Sequence, residues 1–275
     1  MLKLGLIGDN IKASRSPALQ RTAGELAGRP TRYDLYIPPE LGLSFEDTFA
    51  KAQADGLAGT NVTLPYKERV VPHLRIDDPL VARIGACNTV LFAADGPRGF
   101  NTDHSGFIAA YRAQFGDMAP GRVVQFGAGG VGRAVAFGLV ALGASEVVLV
   151  DMDRAKADAL AQAITQAGNG VTMGRAGTVD DLDHADGVVN CTPLGMVGYG
   201  GSAVPEGRFP TANWSFDAVY TPAVTPFAVQ SEAAGTPFLS GWELFFWQGV
   251  HGFEIFSGIR LEDTDALRAR LLDME

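Results

Sequence analysis

The sequence has 275 residues, of which 47% are hydrophobic and 19% charged, and its formal net charge is −9. That length allows two domains, and the composition is typical of a folded protein rather than a disordered one. The acidic balance argues against nucleic acid or an anionic membrane as a partner. The opening MLKLGLIGDN meets charge and glycine too early for a signal peptide, and no run of about 18 uncharged apolar residues is present. We therefore expect a cytoplasmic protein whose partner is a small molecule.

The two cysteines give no sign of a disulfide framework or a metal site. Cys87 and Cys191 lie far apart, and neither has a CxxC partner or a nearby histidine. No metal is expected, and a reducing compartment fits this pattern.

In the first hundred residues, short apolar runs alternate with helix-like segments. Strands are predicted at 3–8, 33–38 and 57–63, and helices at 17–28 and 43–56. This alternation predicts an α/β fold with a parallel sheet and helices on its faces.

The stretch 88–103 departs from this alternation. Two β-type runs flank Asp95-Gly96-Pro97, which predicts a β-hairpin. A connecting helix is predicted at 104–116, and the proline and glycine in 118–122 indicate a domain boundary.

The remaining chain again alternates strands and helices. The predicted elements are a strand, glycine-rich turn and helix over 122–143, a strand at 146–151, a helix at 153–167, strands at 187–192, 216–220 and 237–240, and helices at 241–258 and 262–272. The apolar aromatic residues of 241–258 indicate packing rather than a ligand box.

The stretch GAGGVG, residues 127–132, has the G-x-G-x-x-G spacing between a predicted strand and a predicted helix. Gly127 permits the tight turn, Gly129 lets the backbone approach a pyrophosphate, and Gly132 allows close helix–strand packing. Asp151 ends the next predicted strand, where a carboxylate binds ribose hydroxyls and repels a 2′-phosphate. The pattern favours NAD and disfavours NADP. Arg154 and Lys156 lie just beyond Asp151, and their positive charges would weaken the preference for NAD. The alternative is a structural glycine turn followed by an incidental aspartate.

Four polar stretches lie at predicted strand ends or turns, where ligand sites of α/β sheets form. They are 13–17, 61–67, 85–89 and 99–103. Their hydroxyls, amides, amine and carboxylate suit a small, hydroxylated, acidic ligand. The residues that supply these groups are Ser14, Ser16, Thr63, Asn61, Asn88, Lys67 and Asp103.

Each of these residues also has a structural explanation. Ser14 or Ser16 could cap a helix from Pro17, and Asp103 could cap a helix from His104. Asn88 and Asn101 could be turn residues, and a lone lysine is usually a solvated charge. Their recurrence at successive strand ends favours a site.

The chain resembles the shikimate/quinate dehydrogenase family in motifs that run nearly from end to end. The matching stretches are S-R-S-P (14–17), N-V-T-L-P-Y-K (61–67), G-A-C-N-T (85–89), N-T-D-x-x-G (101–106), G-A-G-G-V-G-R-A (127–134), N-C-T-P-L-G-M (190–196), D-A-V-Y-T-P-A-V-T-P (217–226) and G-x-x-L-x-x-x-Q (241–248). The resemblance implies an N-terminal α/β substrate-binding domain, residues 1–104 completed by 241–275, and a C-terminal Rossmann NAD(P)-binding domain, residues 105–240.

The resemblance also implies roles for individual residues. Lys67 and Asp103 would be the catalytic pair at the reacting hydroxyl. The substrate would be bound by Ser14, Ser16, Asn61, Thr63, Asn88, Tyr220 and Gln248. The dinucleotide would be bound by Gly127, Ala128, Gly129, Gly130, Val131, Gly132, Asp151, Thr192 and Gly241.

Three departures from the family's common pattern are visible. Leu244 stands where methionine is frequent, and Ser240 where an acidic residue often precedes the glycine. Asp151-Met152-Asp153 replaces an NADP-type Asn-Arg-Thr, so this chain is similar to the NAD-using branch of the family.

The expected reaction is reversible oxidation of the ring alcohol of shikimate or quinate, in which the protein supplies orientation and proton transfer. His104 is an alternative base, whereas Cys191 is not needed for hydride transfer. Alternative functions are a dehydrogenase of a related acid such as aminoshikimate, and a non-catalytic regulator that binds NAD or a metabolite. Biosynthetic or catabolic direction, and a monomer or homodimer, stay open.

Overall fold

A computed structural model describes residues 1–274. The segment 241–275, predicted to complete the first domain, ends in Glu275, which lies outside the described residues. The described chain divides into two compact units. The first comprises Met1–Thr102 together with Phe246 to the last described residue, and the second comprises Asp103–Phe245. The α/β class that the sequence predicts is confirmed in both units.

The first unit is built on a five-stranded mixed sheet. Its strands are β1 (Leu2–Ile7), β2 (Thr31–Tyr36), β3 (Gly59–Val62), β4 (Thr89–Ala93) and β5 (Gly96–Phe100). The order is β2-β1-β3-β4-β5, in which the first three strands are parallel and the last two run antiparallel. The predicted hairpin at 88–103 is confirmed as β4 and β5.

Helices pack on this sheet around an aromatic and aliphatic core. They are α1 (Ser16–Leu26), α2 (Pro38–Leu41), α3 (Phe45–Ala54), α4 (Pro79–Ile84), α10 (Thr264–Leu272) and most of α9 (Gly241–Ser257). Local chemistry sets their starts, since the Ser44 hydroxyl accepts from the Asp47 N–H at 3.0 Å to cap α3. Phe45, Val62, Tyr66 and Val90 belong to the buried core cluster of this unit.

The second unit is built on a fully parallel six-stranded sheet. Its strands are β6 (Arg122–Phe126), β7 (Glu146–Val150), β8 (Met173–Ala176), β9 (Gly187–Asn190), β10 (Trp214–Asp217) and β11 (Phe238–Ser240). The order β11-β10-β9-β6-β7-β8 reverses direction between β6 and β9. In doubly wound sheets, ligands bind outside the carboxyl ends of the strands at this switch point.

One helix of the second unit precedes its first strand, and three lie between its strands in the sequence. They are α5 (Thr102–Phe115), α6 (Gly130–Ala141), α7 (Arg154–Ala167) and α8 (Pro226–Ala233). α5 packs on the sheet through aromatic contacts, with ring centroids 5.1 Å apart for Phe107 and Phe216 and 5.0 Å apart for Tyr111 and Trp214. Edge-to-face rings of this kind add to the burial of apolar area.

Several predicted boundaries shift for local reasons. The predicted strands at 187–192 and 216–220 end earlier, at Asn190 and Asp217. The Asn190 side chain accepts from the Thr192 N–H at 2.9 Å, and the Asp217 side chain accepts from the Val219 N–H at 3.0 Å, so each residue turns the chain out of the sheet.

The sequence patterns did not predict four short elements: α2, α4, α8 and β8. Three are helices of eight residues or fewer, and each begins at a proline. β8 is an edge strand that pairs only with β7, and it lacks a buried apolar pattern. Among the described residues, no helix is long and apolar enough to cross a membrane.

Candidate functional site

In the first unit, backbone hydrogen bonds bring the predicted polar stretches together. The Thr63 N–H donates to the Ile7 carbonyl at 2.9 Å, the Val62 N–H to the Asn88 carbonyl at 2.9 Å, and the Cys87 N–H to the Lys67 carbonyl at 2.8 Å. The stretches 61–67 and 85–89 therefore lie beside the carboxyl end of β1.

Asn61 lies at the centre of this cluster. It faces Thr89 across the β3–β4 pair. Its amide nitrogen donates to the Asn88 carbonyl at 3.1 Å and to the Thr89 hydroxyl at 3.0 Å, and its Oδ1 accepts from the Tyr33 hydroxyl at 2.8 Å. Both amide hydrogens are therefore used within the protein, and Asn61 can offer a ligand only an acceptor lone pair.

Asn88 links the cluster to the start of α5. Its Oδ1 accepts from the Thr102 N–H at 2.7 Å, from the Thr102 hydroxyl at 3.1 Å and from the Thr89 hydroxyl at 3.1 Å. Because Thr102 begins α5, this oxygen satisfies one of the N–H groups that a helix start leaves unpaired. The amide nitrogen of Asn88 is the group of this side chain suited to donate to a ligand.

Neither predicted serine acts as the helix cap that the sequence allowed. α1 begins at Ser16, and its N-cap residue, Arg15, makes no side-chain cap bond. The Ser14 hydroxyl accepts from the Ser16 N–H and donates to the Ser16 hydroxyl, both at 3.2 Å. Burial raises the pKa of the Tyr33 phenol, and the neighbouring Ser16 hydroxyl partly offsets this effect.

Lys67 is the last residue of the polar stretch 61–67, and Asp103 is the last residue of the polar stretch 99–103. Lys67 is half-buried and follows the cis Leu64–Pro65 peptide, and Tyr66 donates to Asp9 at 2.6 Å beside it. Asp103 is buried, at 5% exposure, in the first turn of α5. Because α5 begins at Thr102 rather than at His104, the idea that Asp103 caps a helix from His104 is wrong.

Gln248 lies on the face of α9 that reaches the cluster. One turn further along, a Cβ at Gly252 would lie 3.6 Å from the Asn61 amide nitrogen. Residues four apart share a helix face, so Gln248 and Gly252 point the same way. The Gln20 amide also donates to the Gly249 carbonyl at 2.9 Å and fixes α9 against α1.

In the second unit, the glycine-rich turn joins β6 to α6. Gly127 has φ of +95°, and a Cβ there would lie 2.8 Å from the Cys191 carbonyl carbon. A Cβ at Gly132 would overlap the Gly127 carbonyl oxygen. Both positions require glycine because the chain is folded tightly at the switch point.

Two polar side chains, the buried Gln125 and the half-buried Asp151, hold this turn. The Gln125 amide donates to the Gly127 carbonyl at 2.9 Å and to the Gly132 carbonyl at 2.8 Å. The Asp151 carboxylate, directly after β7, accepts from the Ala128 N–H at 2.7 Å and from the Asp153 N–H at 2.8 Å. The acidic residue that the sequence assigned to a ribose therefore contacts the turn itself.

The turn fits a dinucleotide. Gly129 is the N-cap of α6 with no side-chain cap, and a Cβ there would meet no atom within 4 Å. The protein itself therefore does not need glycine at 129, whereas a pyrophosphate approaching the backbone would. Gly130, Val131 and Gly132 begin a twelve-residue helix whose N-terminal N–H groups and dipole favour a phosphate.

A buried polar network follows β9 and β10. The Asn190 amide donates to Asp217 at 2.9 Å, the Thr225 hydroxyl donates to the same carboxylate at 2.6 Å, and the Thr192 hydroxyl donates to Asn190 at 2.7 Å. Burial raises the pKa of Asp217 to about 6, although the bonds from Thr225, Val219 and Asn190 offset part of this effect. Thr192 is thereby fixed beside the glycine turn, since the Cys191 N–H donates to the Phe126 carbonyl.

Tyr220 and Gly241 have packing roles within the second unit. The Tyr220 ring stacks on Phe245 with centroids 5.1 Å apart. A Cβ at Gly241 would lie 2.5 Å from the Ala218 carbonyl oxygen, so close packing already explains this glycine.

The sequence motifs gave no role to the residues that hold the site from behind. They are Tyr33, Thr89, Gln125, Asn190 and Asp217. Thr89, Asn190 and Asp217 nevertheless stand within the quoted stretches. Gln125 could have been noticed as an amide inside the apolar run RVVQF. Thr89 and Tyr33 carry no such signal because threonine and tyrosine are ordinary strand residues.

The sheet order, the glycine turn and the following acidic residue define a class of protein, those with a doubly wound dinucleotide-binding domain. Residues 6–90 match the family described as the shikimate dehydrogenase substrate binding domain. A quinate/shikimate dehydrogenase (NAD(+)) of Corynebacterium efficiens is 37% identical over 278 residues, covering 98% of each chain.

Solved structures agree with this relation. Quinate dehydrogenase from Corynebacterium glutamicum in complex with NAD superposes with a TM-score of 0.88 at 34% identity, covering 99% of both chains. Shikimate 5-dehydrogenase from Thermus thermophilus in complex with NADP(H) and shikimate gives a TM-score of 0.86 at 31% identity, again over 99% of both chains. The chain belongs to the shikimate/quinate dehydrogenase family.

Proposed function

We propose that this protein is an NAD-preferring dehydrogenase that reversibly oxidises the ring secondary alcohol of shikimate or quinate to 3-dehydroshikimate or 3-dehydroquinate. Lys67 and Asp103 act at the reacting hydroxyl. The names of the relatives support this substrate class, because they act on quinate or shikimate and use NAD or NADP.

One observation carries the preference for NAD. The Asp151 carboxylate lies against the glycine turn, 2.7 Å from the Ala128 nitrogen. Its charge disfavours a 2′-phosphate at the adenosine ribose, while its remaining lone pairs can accept from ribose hydroxyls. The next two residues add no positive charge. Met152 is neutral and fully exposed, and Asp153 is acidic and caps α7.

The arginine that follows Asp151 most closely in the sequence, Arg154, has another partner. Arg154 pairs with Asp158 one turn along α7, at 3.3 Å. This pairing holds the Arg154 guanidinium against α7, so that it does not bind a 2′-phosphate. The local charges therefore favour a free 2′-hydroxyl over a 2′-phosphate.

The groups of the first unit suit an acidic, hydroxylated ring. The Ser14 and Ser16 hydroxyls can donate to a carboxylate, and the Asn88 amide nitrogen can donate to a ring hydroxyl. Asn61 can accept from another hydroxyl through Oδ1. Gln248, on the α9 face near Asn61, can both donate and accept.

The chemistry divides between cofactor and protein. The nicotinamide, when bound, supplies the hydride acceptor or donor. Lys67 holds the alcohol oxygen and takes its proton as negative charge develops there. The Asp103 carboxylate orients the same hydroxyl and stabilises the charged lysine.

Steady-state kinetics with quinate, shikimate and aminoshikimate, each with NAD and with NADP, test this proposal. We expect turnover of quinate or shikimate, with a higher kcat/KM for NAD than for NADP. Greater efficiency with NADP at either substrate would overturn the cofactor assignment. Turnover of aminoshikimate alone would overturn the substrate assignment.

A further inference from the structure

A hydrogen-bonded chain from Tyr33 to Asn88 runs behind the proposed substrate groups. The Tyr33 hydroxyl donates to Asn61 Oδ1 at 2.8 Å. Asn61 continues the chain to Thr89 at 3.0 Å, and Thr89 continues it to Asn88 at 3.1 Å. Tyr33, on β2, is the member of this chain that bonds to Asn61 from the far side of β1.

The direction of the bond between Tyr33 and Asn61 follows from the chemistry of Tyr33. A phenol has one proton, and here that proton goes to Asn61 Oδ1, an oxygen that can only accept. The phenol thus sets which way the Asn61 amide faces.

Tyr33 does not contact a ligand itself. Its side chain is 1% exposed and lies in the middle of β2, opposite Leu4 of β1. A phenylalanine would fill the same space without burying a hydroxyl, which costs free energy unless its hydrogen bonds are made. The contribution specific to tyrosine is therefore the bond to Asn61.

We propose that Tyr33 is a positioning residue for substrate binding, which fixes Asn61 in the orientation that receives the acidic, hydroxylated ring. This inference rests on the function proposed above. It assigns Tyr33 to affinity for the ring rather than to hydride transfer, because Tyr33 acts on Asn61 and not on the proposed Lys67–Asp103 pair.

Tyr33→Phe tests this proposal, with Tyr36→Phe as the matched control. Tyr36 lies three residues further along the same strand and is also buried, but its hydroxyl donates to Asp55 at 2.8 Å. For Tyr33→Phe we expect the KM for quinate or shikimate to rise about fivefold, the effect of one lost hydrogen bond. We expect kcat within about twofold of wild type and an unchanged KM for NAD, since the site orientation and not the proton transfer is altered.

Two results would overturn the proposal. One is an unchanged KM for the ring substrate in Tyr33→Phe. The other is an equal rise in Tyr36→Phe, which would show a general effect of losing a buried hydroxyl. Absence of turnover of both acids by the wild-type enzyme would instead refute the proposed function, so the two failures are distinguishable.

Thr89→Val is the second variant, which decides the matter if Tyr33→Phe does not fold. It removes the hydroxyl that accepts from Asn61 and keeps the β-branched shape suited to β4. A selective rise in the KM for the ring substrate is expected again. A wild-type KM in Thr89→Val would contradict the role of this hydrogen-bonded chain.

Discussion

The two units build their candidate ligand surfaces in different ways. In the second unit, one continuous turn supplies the surface through its backbone, and Gln125 and Asp151 hold it. In the first unit, side chains from several distant segments supply the surface, and hydrogen bonds through Tyr33, Asn61 and Asn88 hold them together.

The networks also differ in charge. The hydrogen-bonded chain from Tyr33 to Asn88 contains only neutral groups, whereas the second unit buries the Asp217 carboxyl and places Asp151 at its turn. We therefore expect pH and charge substitutions to act on the second unit, and loss of single hydroxyls to act on the first.

The largest effect is expected at Lys67, which is a charged residue among the mostly neutral site groups of the first unit. Lys67→Ala should lower kcat by about 10²-fold or more if Lys67 transfers the proton. Steady-state kinetics measure this loss. Lys51→Ala is the matched control, because Lys51 is an exposed lysine on α3 that pairs with Asp55. Near-normal turnover in Lys67→Ala would refute its catalytic role.

Asp217 should make the stability of the protein depend on pH. Its pKa is raised from 3.8 to about 6, so the native state keeps a proton that the unfolded state has lost. The contribution is favourable below pH 3.8 and is lost as pH rises toward about 6. Relative to Asp217→Asn, the wild type should lose on the order of 2 kcal/mol of unfolding free energy across that window.

Chemical denaturation at several pH values measures this difference. Asp117→Asn, at an exposed carboxyl, is the control for a general charge effect. A constant difference between wild type and Asp217→Asn across the window would show that the native carboxyl is not held protonated.

Two alanine substitutions separate folding from binding in the glycine turn. Gly129→Ala should fold normally, since its Cβ meets open space, but should raise the KM for NAD by about tenfold because the methyl occupies the pyrophosphate position. Gly132→Ala should lower the melting temperature, because its Cβ overlaps the Gly127 carbonyl. Thermal unfolding and NAD kinetics on both variants check the pair. Equal melting losses with unchanged NAD affinity would contradict the proposed cradle.

The smallest effect is expected for Asp151→Asn. An asparagine can still accept from the Ala128 N–H but carries no charge. The ratio of kcat/KM for NAD to that for NADP should fall about fivefold, which corresponds to about 1 kcal/mol for an exposed charge pair. Asp117→Asn is a control, since it removes an exposed carboxyl charge that precedes β6, away from the glycine turn. An unchanged ratio in Asp151→Asn would show that its charge does not select the cofactor.

Local patterns determined much of the fold from the sequence. The strand, turn and helix over 122–143, the hairpin and most helices follow from periodicity, glycine and proline. Short elements such as α4 and β8 could not be predicted, because their sequences carry too few residues to show a period. The ends of β9 and β10 depend on side-chain bonds from Asn190 and Asp217 to the turns that follow.

The sequence alone determined the class of fold, the dinucleotide turn and the polar stretches that the family motifs carry, since each is encoded in neighbouring residues. Only the tertiary structure decided which side chains hold those groups. Tyr33 and Asn61 are 28 residues apart in the sequence, and their hydroxyl and amide meet because β2 and β3 flank β1 in the sheet. Such hydrogen bonds depend on strand order and register, which no local pattern specifies.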